Sequence, residues 1–131
     1  IKAFEPNFRG FNRTNAAISS LGVISENLSS ELQSSLMEGN FSKKDLKIMN
    51  QQLIALEKSF LSEQGMYFGK WYKSLYASSD PFSGYAAWIL PGLEYEIALK
   101  SSKRLEEWDG RYADAIKSLE TKMKQLLQDL E

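Results

Sequence analysis

Side-chain chemistry is most concentrated around Tyr85, in the stretch Ser83-Gly84-Tyr85-Ala86-Ala87-Trp88-Ile89-Leu90-Pro91-Gly92. The Tyr85 phenol can donate a hydrogen bond to a substrate carboxylate. Equally, its ring can pack while the hydroxyl is satisfied nearby. Both readings stand at this level. Gly84 before it suits a turn residue with positive φ. Upstream, the run Met66–Tyr76 adds Tyr67, Phe68, Trp71, Tyr72 and Tyr76. Clustered aromatics suit a contact surface, which makes Trp71, Tyr72, Tyr76 and Trp88 candidate dimer or domain contacts. Core packing explains Trp71, Tyr72 and Trp88 as well, and is the default.

Other chemistries are excluded by composition. The chain has no Cys and no His, so Cys-His and Ser-His-Asp nucleophiles are ruled out. A zinc site is not expected within this chain, because such sites are built from Cys and His with carboxylates. No catalytic residue, metal ligand or cofactor is therefore assigned. Lys and Arg total 16 against 17 Asp and Glu. That balance gives no basic excess for nucleic acid or an anionic membrane surface. No apolar run approaches the roughly 20 residues that span a bilayer. Asn12, Asn27 and Asn40 each begin an Asn-X-Ser/Thr acceptor and are candidate glycosylation sites.

The elements that must position these residues are mainly helical. Residues 1–13 have no period and read as an irregular lead-in. Ile18, Leu21, Ile24, Leu28, Leu32 and Leu36 recur at three and four, one helical stripe from about Thr14 to Met37. Gly39 suits the left-handed residue past its end. Ser42 reads as the cap of a second helix, with Leu46, Met49, Leu53, Leu56 and Phe60 on one face to about Leu61. Pro91-Gly92 opens a third helix lined by Leu93, Ile97 and Leu105. Asp109-Gly110 is expected to break or kink the chain before a last helix striped by Tyr112, Ile116, Leu119, Met123, Leu126 and Leu130. Glu120 and Lys124 form an i,i+4 pair on its outer face. Glu94 and Glu96 favour the dipole end of the third helix, while Glu106-Glu107 and Lys122 with Lys124 read as solvated. No segment alternates over a strand's length.

The expected fold is all-α: a single domain over residues 1–131, an antiparallel four-helix bundle with a long aromatic-rich connection between helices 2 and 3. That connection, residues 62–89, holds eight of the sixteen Phe, Trp and Tyr residues. It is too aromatic for a disordered linker and too long for a plain bundle loop. Lacking an initiator Met, the chain is expected to be a fragment of a longer protein.

The segment from Leu46 to Ser79, followed by "GYAAWILPGLEYEIA", resembles the C-terminal helical domain of the transferrin receptor and glutamate carboxypeptidase family. The matching residues are Met49, Asn50, Gln52, Leu53, Leu56, Glu57, Phe60, Gly65, Tyr72, Tyr76, Ala77, Tyr85, Ala86, Pro91 and Gly92, with Trp108 and Gly110 further on. The likeness runs from about Leu21 to the C-terminus. It implies a transferrin receptor-like dimerisation domain that builds a homodimer and packs on a protease-like domain. The whole would be a membrane-anchored ectodomain on the luminal or extracellular side, with any zinc in a separate domain of the parent. In peptidase members the loop before the "PG" helix reaches the substrate through a Lys-Tyr pair. The resemblance thus makes Tyr85 and Gly84 substrate-binding candidates, with Gly84 in place of the family lysine. A glycine cannot pair a carboxylate, and the histidine usual before "IYAP" is also missing. By itself the chain is expected not to be an enzyme, although its parent is a candidate zinc-dependent, carboxypeptidase-like metallopeptidase. The alternative is a freestanding helical adaptor that binds a partner helix through its apolar stripe.

Overall fold

A computed structural model describes residues 10–39 and 41–130. The elements run α1 (Asn12–Glu38), α2 (Lys43–Glu57) with a 3-10 turn over Lys58–Phe60, β1 (Ala77–Ser79), β2 (Ala87–Ile89), α3 (Pro91–Ala98) and α4 (Leu105–Leu130). The chain divides into two compact units. One holds Phe60–Tyr112 with the described residues up to Thr14, and the other holds Asn15–Ser59 with the chain from Ala113 onward.

In the second unit, Leu28 of α1, Met49 of α2, and Met123 and Leu126 of α4 form the buried centre. Leu21, Ile24, Leu32, Leu53, Leu56, Leu119 and Leu130 pack against it. The apolar periodicities thus mark true packing faces, although Ile18 and Leu36 at the ends of the first stripe and Leu46 at the start of the second are exposed. The α2 helix starts as expected. The Ser42 hydroxyl accepts from the Asp45 amide at 3.1 Å, and the Asp45 carboxylate accepts from the Ser42 amide at 3.0 Å. These reciprocal bonds satisfy orphan donors of the first turn. Lys122 Nζ donates to the Ala55 carbonyl and Gln52 to Asp129, so α2 and α4 run antiparallel.

In the first unit, Phe60–Ser62 pairs with Lys73–Leu75: the Ser62 amide donates to Lys73 O at 2.7 Å and the Leu75 amide to Phe60 O at 2.8 Å. The strands β1 and β2 follow as an antiparallel hairpin in the register Ala77↔Ile89, Ser78↔Trp88, Ser79↔Ala87. Leu90 then takes a left-handed conformation (φ 56°), and Pro91 begins α3. Burying both Pro91 and Gly92 lets Trp108 of α4 lie on the helix start. A Cβ added at Gly92 would fall 2.6 Å from the indole carbons. Trp108 is only 1% exposed, and the neighbouring Tyr112 hydroxyl donates to the Leu75 carbonyl at 2.8 Å. Burial raises the Tyr112 pKa, since the phenolate would lose its water.

Several expectations are corrected. The fold is predominantly helical, but a small two-stranded sheet is present, and α3 lies in the first unit whereas α2 lies in the second. The sheet escaped notice because three-residue strands are too short to display alternation. The third helix stops at Ala98, well before Leu105, with Lys100 left-handed at φ 52°. Asp109-Gly110 does not break the chain and sits inside α4. Asp109 is held there by a different task. Its carboxylate accepts the amides of Arg13 (3.3 Å) and Thr14 (2.9 Å), capping the start of α1 from across the unit. Burial would raise the Asp109 pKa, yet the bonds from Thr14 and Arg13 outweigh it and hold the carboxyl below its usual range.

Two glycine substitutions separate close approach from flexibility. Gly92→Ala is expected to lose about 1–3 kcal/mol by overpacking against Trp108. Gly22→Ala, in mid-α1 with open space around it, is expected to gain about 0.5–1 kcal/mol. Urea unfolding of both variants measures this. A Gly92→Ala protein as stable as the parent would contradict the contact.

Candidate functional site

The hairpin carries the residues singled out around Tyr85. Its loop, residues 80–86, is ordered by Asp80. Asp80 Oδ1 accepts the Phe82 amide at 2.7 Å and Oδ2 accepts the Ser83 hydroxyl at 2.6 Å. The backbone closes the loop, with the Gly84 amide donating to Asp80 O and the Asp80 amide to Ala86 O, both at 2.8 Å. Gly84 has φ 76°, as expected of a turn glycine. That conformation turns the chain so that Tyr85 stands at the tip, 97% exposed. The packed reading of Tyr85 is therefore corrected: its ring lies in solvent, available to whatever covers the loop.

The other aromatics divide. Trp71, expected by default in the core, is 92% exposed. Tyr76 is also exposed, as are Phe82 and Ile89. Tyr72 and Trp88 are half-buried. They belong to a packed set in which Phe68 meets Tyr72 at 4.9 Å, Tyr95 at 5.1 Å and Trp88 at 5.9 Å between ring centroids, and Phe82 stacks near Tyr95 at 6.1 Å. The structure thus brings Trp88 and Tyr72 together through Phe68. It leaves Trp71, Tyr76 and Tyr85 as outward aromatic surface.

Asn12 and Asn27 are exposed residues of α1; Asn40 lies outside the described residues. The Thr14 hydroxyl of the first acceptor donates to the Asp109 carbonyl at 3.0 Å. Among the described residues no three acidic side chains gather in the manner of a metal site, and no helix is long and apolar enough to cross a membrane.

Several charged residues have partners that sequence spacing did not reveal. Glu96, read as a dipole residue, is fully buried and accepts from Arg104 Nε at 2.5 Å. Arg104 in turn lies 3.8 Å over the Tyr67 ring. Glu107, read as solvated, accepts from the Tyr67 hydroxyl at 2.6 Å, and this bond raises the Tyr67 pKa. Glu120 does pair with Lys124 at 2.6 Å, yet it is buried and also accepts from the Ser20 hydroxyl at 3.0 Å, so it is not on an outer face. Lys122 reaches a backbone carbonyl. The i,i+4 spacing revealed the Glu120–Lys124 pair; the Glu107–Arg111 pair, 3.8 Å apart, has the same spacing and was not singled out.

Taken together, these features define a helical module that presents an aromatic-tipped hairpin. Residues 9–124 match the sequence model of the transferrin receptor-like dimerisation domain, and the chain belongs to that family. No curated protein and no solved structure matches the chain. The family is one of dimerisation domains, which supports a role in self-association or assembly.

The loop order has a pH signature. Hydrogen bonds from the Ser83 hydroxyl and then the Phe82 amide hold the Asp80 carboxyl below its ordinary value of 3.8. Since folding lowers this pKa, the contribution is complete above the unfolded value and is lost as pH falls through the folded one. Amide resonances of residues 82–86 should therefore move toward disordered positions below pH 3.8. Asp80→Ala should produce the same change at neutral pH. Resonances indifferent to both would refute the capping role.

Proposed function

We propose that this chain is the assembly domain of a larger membrane-anchored ectodomain, which it helps to join into a homodimer. Membership of the dimerisation-domain family carries the proposal. Support comes from Trp71, Tyr76 and Tyr85, which stand in solvent on the unit that holds the hairpin. Aromatic side chains supply large contact areas at small entropic cost, and they dominate interface energetics. In this proposal the chain itself performs no catalysis. Any zinc belongs to a separate protease-like domain of the parent, on the luminal or extracellular side, where Asn12 and Asn27 can carry sugar.

The hairpin loop is the part of this domain that faces such a neighbouring domain. Tyr85 at the tip is a phenol free to donate to a substrate or domain-surface acceptor. Gly84 beside it supplies the turn and no charge. A parent with peptidase activity would thus lack, at this position, the cation that selects acidic C-terminal residues.

Sedimentation equilibrium of the parent ectodomain tests the assembly role. Trp71→Ser and Tyr85→Ser are expected to keep the fold, because neither ring is packed. Combined, they should raise the dimer dissociation constant about tenfold or more, about 1.4 kcal/mol. An unchanged dimer would place the interface elsewhere on the chain. For the loop, a panel of peptides is offered to the parent and to Tyr85→Phe. Loss of about tenfold or more in kcat/KM is expected if the loop lines a working substrate pocket; equal activity in the two proteins would remove Tyr85 from it.

A further inference from the structure

Within the first unit lies a cavity of about 370 Å³, lined by Gln64, Met66, Tyr67, Phe68, Lys70 and Arg111 among others. That is toward the lower end of the roughly 300–1,000 Å³ typical of small-molecule sites. Its wall is a closed loop. Met66 and Gly69 exchange backbone bonds at 3.2 and 3.1 Å. Gly65, at φ 72°, passes so near Lys70 that a Cβ would sit 2.5 Å from the Lys70 carbonyl oxygen. Such a loop presents its side chains with little freedom left to lose.

The charge at this cavity is unusual for the unit. Arg13 meets the Asp109 carboxylate, and Arg104 meets that of Glu96. Arg111 is paired more loosely, in an i,i+4 ion pair with a carboxylate of its own helix. Its nearest carboxylate, Glu107, stands 3.8 Å from Nη1, beyond hydrogen-bond reach, and accepts instead from the Tyr67 hydroxyl. Among the described residues only Arg111 Nη2 is used in hydrogen bonds, to Ser62 Oγ at 2.7 Å and Gly65 O at 3.0 Å, while the guanidinium lies 4.1 Å over the Trp108 ring. A guanidinium has five N–H donors in a fixed plane, so Nε and Nη1 keep donors unspent. Lys70, also on the cavity, has no carboxylate partner among the described residues. Two cations with open donors, Arg111 held by its contacts and Lys70 exposed, thus flank a space bordered by Phe68 and Met66.

We propose that this cavity binds a small organic anion. Its carboxylate or phosphate would be received by Arg111 and Lys70, and its apolar body would lie against Phe68 and Met66. Arg111 gives directional recognition through its planar edge, and Lys70 adds a point charge at the rim. The site is separate from the hairpin tip and does not depend on the assembly role.

The test is an amide chemical-shift titration of the 131-residue chain with benzoate and with phenyl phosphate at fixed ionic strength. Benzyl alcohol is the neutral control. Saturable shifts confined to residues 64–70 and 111 are expected with the anions, and the tighter of the two identifies the oxyanion. Lys70→Gln, an exposed change that leaves the Arg111 contacts intact, is expected to weaken binding about fivefold. The proposal is overturned by equal shifts with benzyl alcohol, by shifts scattered over surface lysines, or by undiminished affinity in Lys70→Gln.

Discussion

The indole of Trp108 lying on the backbone of Gly92 is the constraint from which the first unit is organised. Only a residue without Cβ lets a helix start approach an aromatic face this closely. The contact fixes where α3 begins against α4. Because Pro91 follows β2 with only Leu90 between, it also fixes where the hairpin returns. Leu90 takes a left-handed conformation to make that corner and has no side-chain cap at the helix start. A leucine in this region costs free energy of order 1 kcal/mol or more. The surrounding packing evidently outweighs that cost: Tyr112 ties Leu75 to α4, and the Leu90 amide donates to Tyr76.

Buried acids supply a second layer of order. Glu96 and Asp109 in the first unit and Glu120 in the second are all withdrawn from water, and the carboxylates meet Arg104, Arg13 and both Lys124 and the Ser20 hydroxyl, respectively. Burying such groups gives little net stability, because desolvation cancels much of the attraction. Removing one partner is costly, since the other is left without compensation. These contacts therefore discriminate against wrong packings more than they strengthen the right one. Asp109 illustrates the point by capping α1 from a residue almost a hundred positions away in sequence.

This distance explains what sequence could and could not reveal. The apolar repeats of α1, α2 and α4 were legible because burial acts at the period of the helix itself. Ser42 and Gly39 were legible because their partners lie within a few residues, and Pro91 because its restriction is local. Asp109-Gly110 misled for the same reason: by local preference the pair breaks a helix, and a tertiary bond to α1 overrides it. The hairpin was hidden by its brevity, although Gly84 marked its turn. The site was half legible. Aromatic density singled out the right segment, but composition does not say which rings face inward, so Trp71 and Trp88 could not be told apart. Nothing in the spacing of Lys70 and Arg111 suggested that they share a cavity.

The resulting placement of the three tryptophans makes the molecule an optical gauge of itself. Trp108 is sealed among Tyr67, Tyr112 and the Arg111 guanidinium; Trp88 is half covered; Trp71 stands almost wholly in water. Emission from Trp71 belongs at the red end and is open to a dissolved quencher such as iodide, whereas emission from Trp108 belongs at the blue end and is shielded. Any surface laid over Trp71 would move its emission toward the blue and shield it from iodide without touching Trp108, while unfolding of the first unit would bring all three to the red.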